Sequence, residues 1–236
     1  MRKIRATLFY FFFYSWTIIF FIVFSPVKFF TRNFVVKLSN VWSFSVNFLC
    51  QRILGVKVIV YGKNNIPQDR SILVASNHQS AWETFFFTFL FNDPIFILKE
   101  ELRFIPIMSW YFKKLGFIFI NRKKGLKSLR HIINSIKKLK DGTPKTFIIF
   151  PEGTRKKPGM QVGKFARSAA DLAIKNNVDL IPVYHDSGLY WKNKKFLKYP
   201  GTVQVTIGDP IQGKDSSEMT GNLVEWMNRK ASVSTK

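Results

Sequence analysis

The stretch Ile72-Leu73-Val74-Ala75-Ser76-Asn77-His78-Gln79-Ser80-Ala81-Trp82-Glu83-Thr84-Phe85-Phe86-Phe87 decides the fold. Its first four residues are an unbroken apolar run, the pattern of a strand buried on both faces. A short polar turn follows, and Trp82–Phe91 then reads as a helix. A strand that hands directly to a helix is the unit of an α/β sheet. The same stretch sets an imidazole, His78, at a strand end and a carboxylate, Glu83, one turn into the next helix. The two side chains can converge. The carboxylate then fixes one ring tautomer while the other ring nitrogen takes a proton from a hydroxyl. A lone histidine beside an apolar segment is also a common structural feature, so the rest of the chain must be weighed with it.

Outward from this unit the alternation continues. Val56–Tyr61, Ile95–Leu98, Phe117–Ile120, Phe147–Phe150, Leu180–Tyr184 and Thr202–Ile207 read as strands. Ile105–Lys114, Leu126–Lys140, Lys164–Asn176 and Ser216–Lys230 read as helices. The alternation predicts an α/β sandwich with a mixed, largely parallel sheet flanked by helices. Ligands of such sheets bind beyond the carboxyl ends of the strands. His78, Arg122 and Glu152–Arg155 each follow a predicted strand, so one rim is available to all of them. Two units are expected: an N-terminal anchor over 1–54 and a catalytic domain over 55–236.

Two rim segments carry further chemistry. Phe150-Pro151-Glu152-Gly153-Thr154-Arg155 leaves a strand into a tight turn. Gly153 lets the backbone approach a ligand, and Thr154 and Arg155 can donate to an anion. An ordinary strand-to-loop turn with solvated bases is the alternative. Gly116 to Arg122 delivers a guanidinium to another strand end, and its planar fork suits phosphate. Residues 113–145 hold eleven Lys or Arg and one acid, and the five bases on Leu126–Lys140 read as a solvated or membrane-facing side. His131 belongs to that basic surface. His185 follows the Leu180–Tyr184 strand and is a candidate for the rim. Tyr190-Trp191 reads chiefly as core.

Composition points to a lipid surface. Net charge is +23, from 37 Lys+Arg against 14 Asp+Glu, which suits anionic partners. Twelve of 26 Phe lie in the first 50 residues, and the first acid is Asp69. That front-loading favours a membrane over nucleic acid. Ala6–Val27 is free of charge and long enough to span a bilayer core. Phe34–Cys50 is a second apolar stretch. Basic residues flank the first segment on both sides, so charge leaves two topologies open: a span, or a two-helix hairpin in one leaflet. The single cysteine, Cys50, permits no internal disulfide and allows a reducing compartment. No cluster suggests a metal.

In this order the motifs resemble the phospholipid and glycerol acyltransferase family, in particular its bacterial branch acting on lysophosphatidic acid. The family's Asn-His-x4-Asp is matched by Asn77-His78 to Glu83, its Gly-x-x-Phe-x-x-Arg by Gly116, Phe119 and Arg122, and its Phe-Pro-Glu-Gly-Thr-Arg is complete at 150–155. Leu180-Ile181-Pro182-Val183 matches the fourth motif. The resemblance covers residues 55–215 and departs where Glu83 replaces the usual Asp.

The resemblance implies the glycerolphosphate acyltransferase fold with a membrane-inserted N-terminus. It makes His78 the base and Glu83 its orienting acid. It makes Arg122, Glu152, Gly153, Thr154 and Arg155 the acceptor-binding set, with Glu152 positioning the hydroxyl or the arginines. The implied acceptor is lysophosphatidic acid. The donor is an acyl thioester of acyl carrier protein or coenzyme A, with no cofactor. The implied setting is the inner membrane, with the catalytic domain facing the cytoplasm. Rival readings are a sibling acyltransferase on another lysolipid or glycerol 3-phosphate, a serine hydrolase using Ser80 or Ser187, and a basic membrane or nucleic-acid binder. The chain has no Gly-x-Ser-x-Gly elbow.

Overall fold

The central strands set the architecture in a computed structural model that describes residues 1–159 and 161–234. Residues 235–236 of the expected catalytic domain lie outside the described residues. Among the described residues seven strands form one sheet: β1 (Val56–Tyr61), β2 (Ile72–Ser76), β3 (Pro94–Lys99), β4 (Ile118–Ile120), β5 (Thr146–Ile149), β6 (Asp179–His185) and β7 (Gly201–Ile207). Their order is β1-β7-β6-β2-β5-β3-β4. Every pairing is parallel except β6 with β7. β2 and β5 are buried along their whole length, as continuous apolar runs in the middle of a covered sheet should be.

Helices cover both faces. α3 (Trp82–Leu90) lies on one face with the N-terminal helices α1 (Arg2–Val23) and α2 (Arg32–Leu49). α5 (Leu126–Leu139), α6 (Ser168–Asn176) and α8 (Ser216–Ser234) cover the other. α4 (Met108–Leu115) sits against the turn between α1 and α2. α7 (Ser187–Tyr190), a single turn after β6, was too short for periodicity to reveal. α6 starts four residues later than expected from Lys164. The residues before it are tied to the β5 turn instead, with Ala166 N–H donating to Pro151 O at 3.2 Å and Phe165 buried.

The N-terminal helices are not a detached anchor. Thr31 caps α2 by accepting from Phe34 N–H. α2 runs into a π-helical turn, Cys50–Leu54, which ends at Gly55 with φ +73°. Phe9, Val46, Cys50 and Leu54 share one core with Val74, Phe87 and Val183 of the sheet side. The boundary expected at 54/55 is therefore a change of composition but not of packing. α1 is 22 residues long and apolar enough to cross a bilayer by length and composition. It nonetheless uses one side for the protein: Phe9 meets Trp191 at 5.4 Å, Phe13 meets Phe85 at 5.9 Å, and Phe21 meets Tyr111 at 4.7 Å. Ile4, Leu8, Phe11, Ile18 and Ile22 form the opposite, exposed stripe.

Candidate active site

The site opens at the carboxyl ends of β2, β4, β5 and β6. Chain direction explains this: in a parallel sheet every strand-to-helix turn on that edge faces the same way. β2 and β5 are neighbours, so the turn bearing His78 meets the turn bearing Glu152.

Glu83 Oε1 lies 2.8 Å from Nδ1 of His78. The carboxylate is fully buried and heavily donated to. Gln79 N–H reaches Oε1 at 2.9 Å and Ser80 N–H reaches it at 2.8 Å. Ser80 Oγ donates to Oε2 at 2.5 Å, and Ser187 Oγ donates to it at 3.1 Å. Burial alone would push the Glu83 carboxyl up. The neighbouring His185, the hydrogen bond and charge of His78 and the Ser80 hydroxyl outweigh it and hold the carboxyl down to about 2. Burial also pushes His185 below its ordinary value, so it is largely neutral and the hydrogen bonds do most to keep Glu83 ionised. An ionised Glu83 accepts Nδ1–H from His78, which leaves Nε2 as the basic nitrogen. Nε2 makes no hydrogen bond among the described residues. The ring is stacked on Phe150, with centroids 4.2 Å apart and planes 22° from parallel.

Glu152 holds the other side of His78. Its Oε2 accepts His78 N–H at 3.1 Å and its Oε1 accepts Gly163 N–H at 3.0 Å. Both oxygens are thus spent on backbone, so Glu152 is a strut beneath His78 and does not pair with an arginine. Burial pushes its carboxyl up, opposed by those two donors. Gly153 has φ +68°, and its N–H closes the turn onto Phe150 O at 2.9 Å, so that N–H is not free for an oxyanion. A Cβ at 153 would stand 3.5 Å from Arg122 Nη1. Arg122 therefore comes over this turn from the far strand, β4.

Asn121 shapes that approach, its side chain accepting Lys123 N–H at 3.1 Å. The protein packed round the Arg122 guanidinium pulls it down from its ordinary value, with Glu101 opposing, and its donors are unpaired among the described residues. Arg155 differs: its Nε donates to Ser80 O at 2.9 Å, which ties the turn to the His78 loop. Thr154 is exposed beside it.

A cavity of about 500 Å³ opens beside Arg122 and Gly153, with Phe150, Leu126, Ile132 and Ile149 among its walls. Its lining is mainly apolar, with Arg122, Asp171, Ser128 and Ser168 as its polar members, the character of a site for an amphiphile. Among the described residues no group of His, Cys, Asp and Glu could hold a metal.

Some residues sit where the sequence did not lead. His185 is not at the rim. It is fully buried behind Glu83, its Nε2–H donating to Asn77 O at 3.0 Å. Asn77 answers with Nδ2 to His185 O at 2.8 Å and accepts His185 N–H at 3.0 Å, locking β2 to β6 beneath the site. Ser80 and Ser187 are buried and serve the carboxylate, which removes both as nucleophiles. His131 is on the exposed side of α5, and Trp191 is core, as expected.

Residues 57–186 match the family described as Acyltransferase. A Pseudomonas aeruginosa protein named 1-acyl-sn-glycerol-3-phosphate acyltransferase is 35% identical over 220 residues, 91% of this chain and 83% of that protein. A Borreliella burgdorferi protein of the same name is 31% identical over 147 residues, 62% of this chain and 56% of that one. The crystal structure of the 1-acyl-sn-glycerophosphate acyltransferase PlsC from Thermotoga maritima superposes with a TM-score of 0.81 at 29% identity, covering 100% of this chain and 98% of that one.

Proposed function

The chain belongs to the acyltransferase family, and from that premise we propose that it transfers an acyl chain to the sn-2 hydroxyl of lysophosphatidic acid, giving phosphatidic acid. One observation carries the chemistry: His78 is held by Nδ1 on an ionised, buried Glu83, with Nε2 left unbonded beside Phe150. Nε2 takes the proton of the acceptor hydroxyl as its oxygen attacks the thioester carbonyl. The new C–O bond forms, the C–S bond breaks, and the proton passes to the departing thiolate. Glu83 steadies the imidazolium between these steps. Arg122 grips the acceptor phosphate, helped by Thr154 and the free Nη groups of Arg155. Glu152 keeps the His78 backbone in place. The donor is a thioester of acyl carrier protein or coenzyme A, and either supplies the same leaving group.

The enzyme works on a bilayer, with the α1–α2 pair seated in one leaflet. Support comes from α1, which touches the catalytic domain at Phe9, Phe13 and Phe21, from its second turn through its middle to its C-terminal end. A transverse span would carry those partners into hydrocarbon. The outward stripe from Ile4 to Ile22 is the lipid-facing side. The inner membrane with the domain in the cytoplasm fits a lone cysteine and a basic surface drawn to anionic lipid.

The test is acyl transfer to oleoyl lysophosphatidic acid by purified protein in micelles, with palmitoyl-coenzyme A and with palmitoyl-carrier protein, beside His78→Ala. Wild type should form phosphatidic acid, and the variant should lose about 10²–10⁴-fold in kcat while keeping its circular dichroism. No product with either donor, or a His78→Ala variant that keeps more than a few per cent of the wild-type rate, overturns the reading.

A further inference from the structure

We infer that the Glu100–Trp110 segment is a second membrane contact, an apolar lip that lies on the bilayer between the N-terminal hairpin and Arg122. This rests on the reading of that hairpin as seated in lipid. Phe104 is 77% exposed and Trp110 50% exposed, whereas their neighbours Tyr111 and Phe119 are buried. Singly such exposure means little, but these two are part of a continuous path.

Tyr111, the neighbour of Trp110, donates its hydroxyl to Phe24 O at 2.7 Å and meets Phe21 edge-on. α4 is thereby docked on the hairpin turn, whose Phe29 is 77% exposed. On the other side, the 3-10 turn Glu100–Phe104 packs on β4, with Arg103 lying 5.4 Å over the Phe119 ring. β4 leads directly to Arg122, and Glu101 faces that arginine. Exposed apolar side chains thus run from the hairpin across α4 to the rim where the acceptor phosphate is held.

Two further observations point to lipid as the occupant. Lys28, Lys99, Arg103, Lys113 and Lys114 flank these apolar groups, against Glu100 and Glu101 alone. Apolar side chains ringed by cations suit an interface with anionic headgroups. The segment also carries backbone strain: Ile107, a β-branched residue, has φ +61° and ψ −57°, in a γ-turn closed by Met108 N–H on Pro106 O at 2.6 Å. Such strain survives where the surrounding structure enforces it, and it is concentrated at functional positions. Here it sits between Phe104 and Trp110. The basic face of α5 lies across the sheet from the hairpin and takes no part in this contact.

A polarity-sensitive fluorophore tests this on the full chain with vesicles of phosphatidylglycerol and phosphatidylcholine. Cys50 is 1% exposed, so an introduced thiol labels selectively. Labels go on Phe104→Cys, on Ile19→Cys in the hairpin and on His131→Cys on α5. The expected result is a blue shift and quenching by shallow nitroxide lipid at 104 and 19, with neither at 131. A label at 104 that behaves like 131 while 19 is quenched overturns the lip and leaves the hairpin reading standing. Labels at 19 and 104 that both stay in water overturn both. In parallel, Phe104→Ser and Trp110→Ser should each raise KM for a long-chain acceptor in vesicles about tenfold with kcat unchanged. They should leave a monomeric short-chain acceptor unaffected. An equal loss on both acceptors would overturn the lip.

Discussion

Ser187 Oγ lies 3.1 Å from Oε2 of Glu83, a residue 104 positions earlier in the chain. Ser80 Oγ donates to the same oxygen from within the loop, and the two hydroxyls are 2.8 Å apart. The carboxylate that orients His78 is thus gripped from both β2 and β6. The extra methylene of Glu relative to Asp is accommodated by this cage.

Ser187→Ala should remove one charge-assisted bond worth about 1.5–3 kcal/mol and leave Oε2 under-donated. Because the carboxylate then has more freedom, kcat should fall about tenfold with acceptor KM unchanged. Steady-state kinetics separate this from a merely structural effect, which would move stability alone.

Glu83 also predicts an acid limb of stability. Its folded value is about 2 against an ordinary 4.5, so the unfolded chain binds more protons between them. Its stabilising contribution is complete above about pH 4.5 and drains away as pH falls toward about 2. Glu83→Gln turns an amide N–H₂ toward donors at Gln79 and Ser80. It should abolish activity and flatten this limb. Urea unfolding in detergent across that range measures it, and a Gln variant with the wild-type limb would refute the assignment.

At the rim, Gly153→Ala forces a Cβ into a φ of +68° beside Arg122. The backbone cost is about 1 kcal/mol, and relief of it moves the turn that Arg122 lies over. Acceptor KM should rise while donor KM holds. Arg122→Lys keeps the charge but loses the fork, and should raise acceptor KM about tenfold.

The hairpin is tied to the catalytic domain by Arg32, whose two Nη groups meet the Asp93 carboxylate at 2.7 and 2.6 Å and whose Nη2 also reaches Leu115 O at 3.1 Å. Arg32→Gln should lower stability by about 1–3 kcal/mol, read as thermal unfolding in detergent. Adding Asp93→Asn should cost less than the sum of the two single changes, because they share one interaction.

Local chemistry was legible. The apolar run 72–75, the helix after Trp82 and the turn at Pro151–Gly153 follow from burial pattern and turn residues, and each appears where the sequence put it. So the convergence of His78 and Glu83 could be expected from a strand end and the first turn of the next helix, with the other motifs weighed beside it. Glu152 could not: that its oxygens take His78 and Gly163 backbone depends on β2 lying beside β5. For His185 the sequence left the rim only as one option, because the residue after a strand can point either way. The mutual bonds with Asn77 turned it inward.

By itself the sequence determined the kinds of element, their order, the apolar N-terminus and the convergence of His78 with Glu83, because periodicity and turn chemistry act within a few residues. Only tertiary structure decided that Ser187 reaches Glu83, that Arg122 crosses to Gly153, and that α1 gives one face to the protein and keeps the other free. Those depend on strand order across the sheet. Contacts between residues 30 to 100 positions apart are set by which strands pair, and no local pattern specifies that.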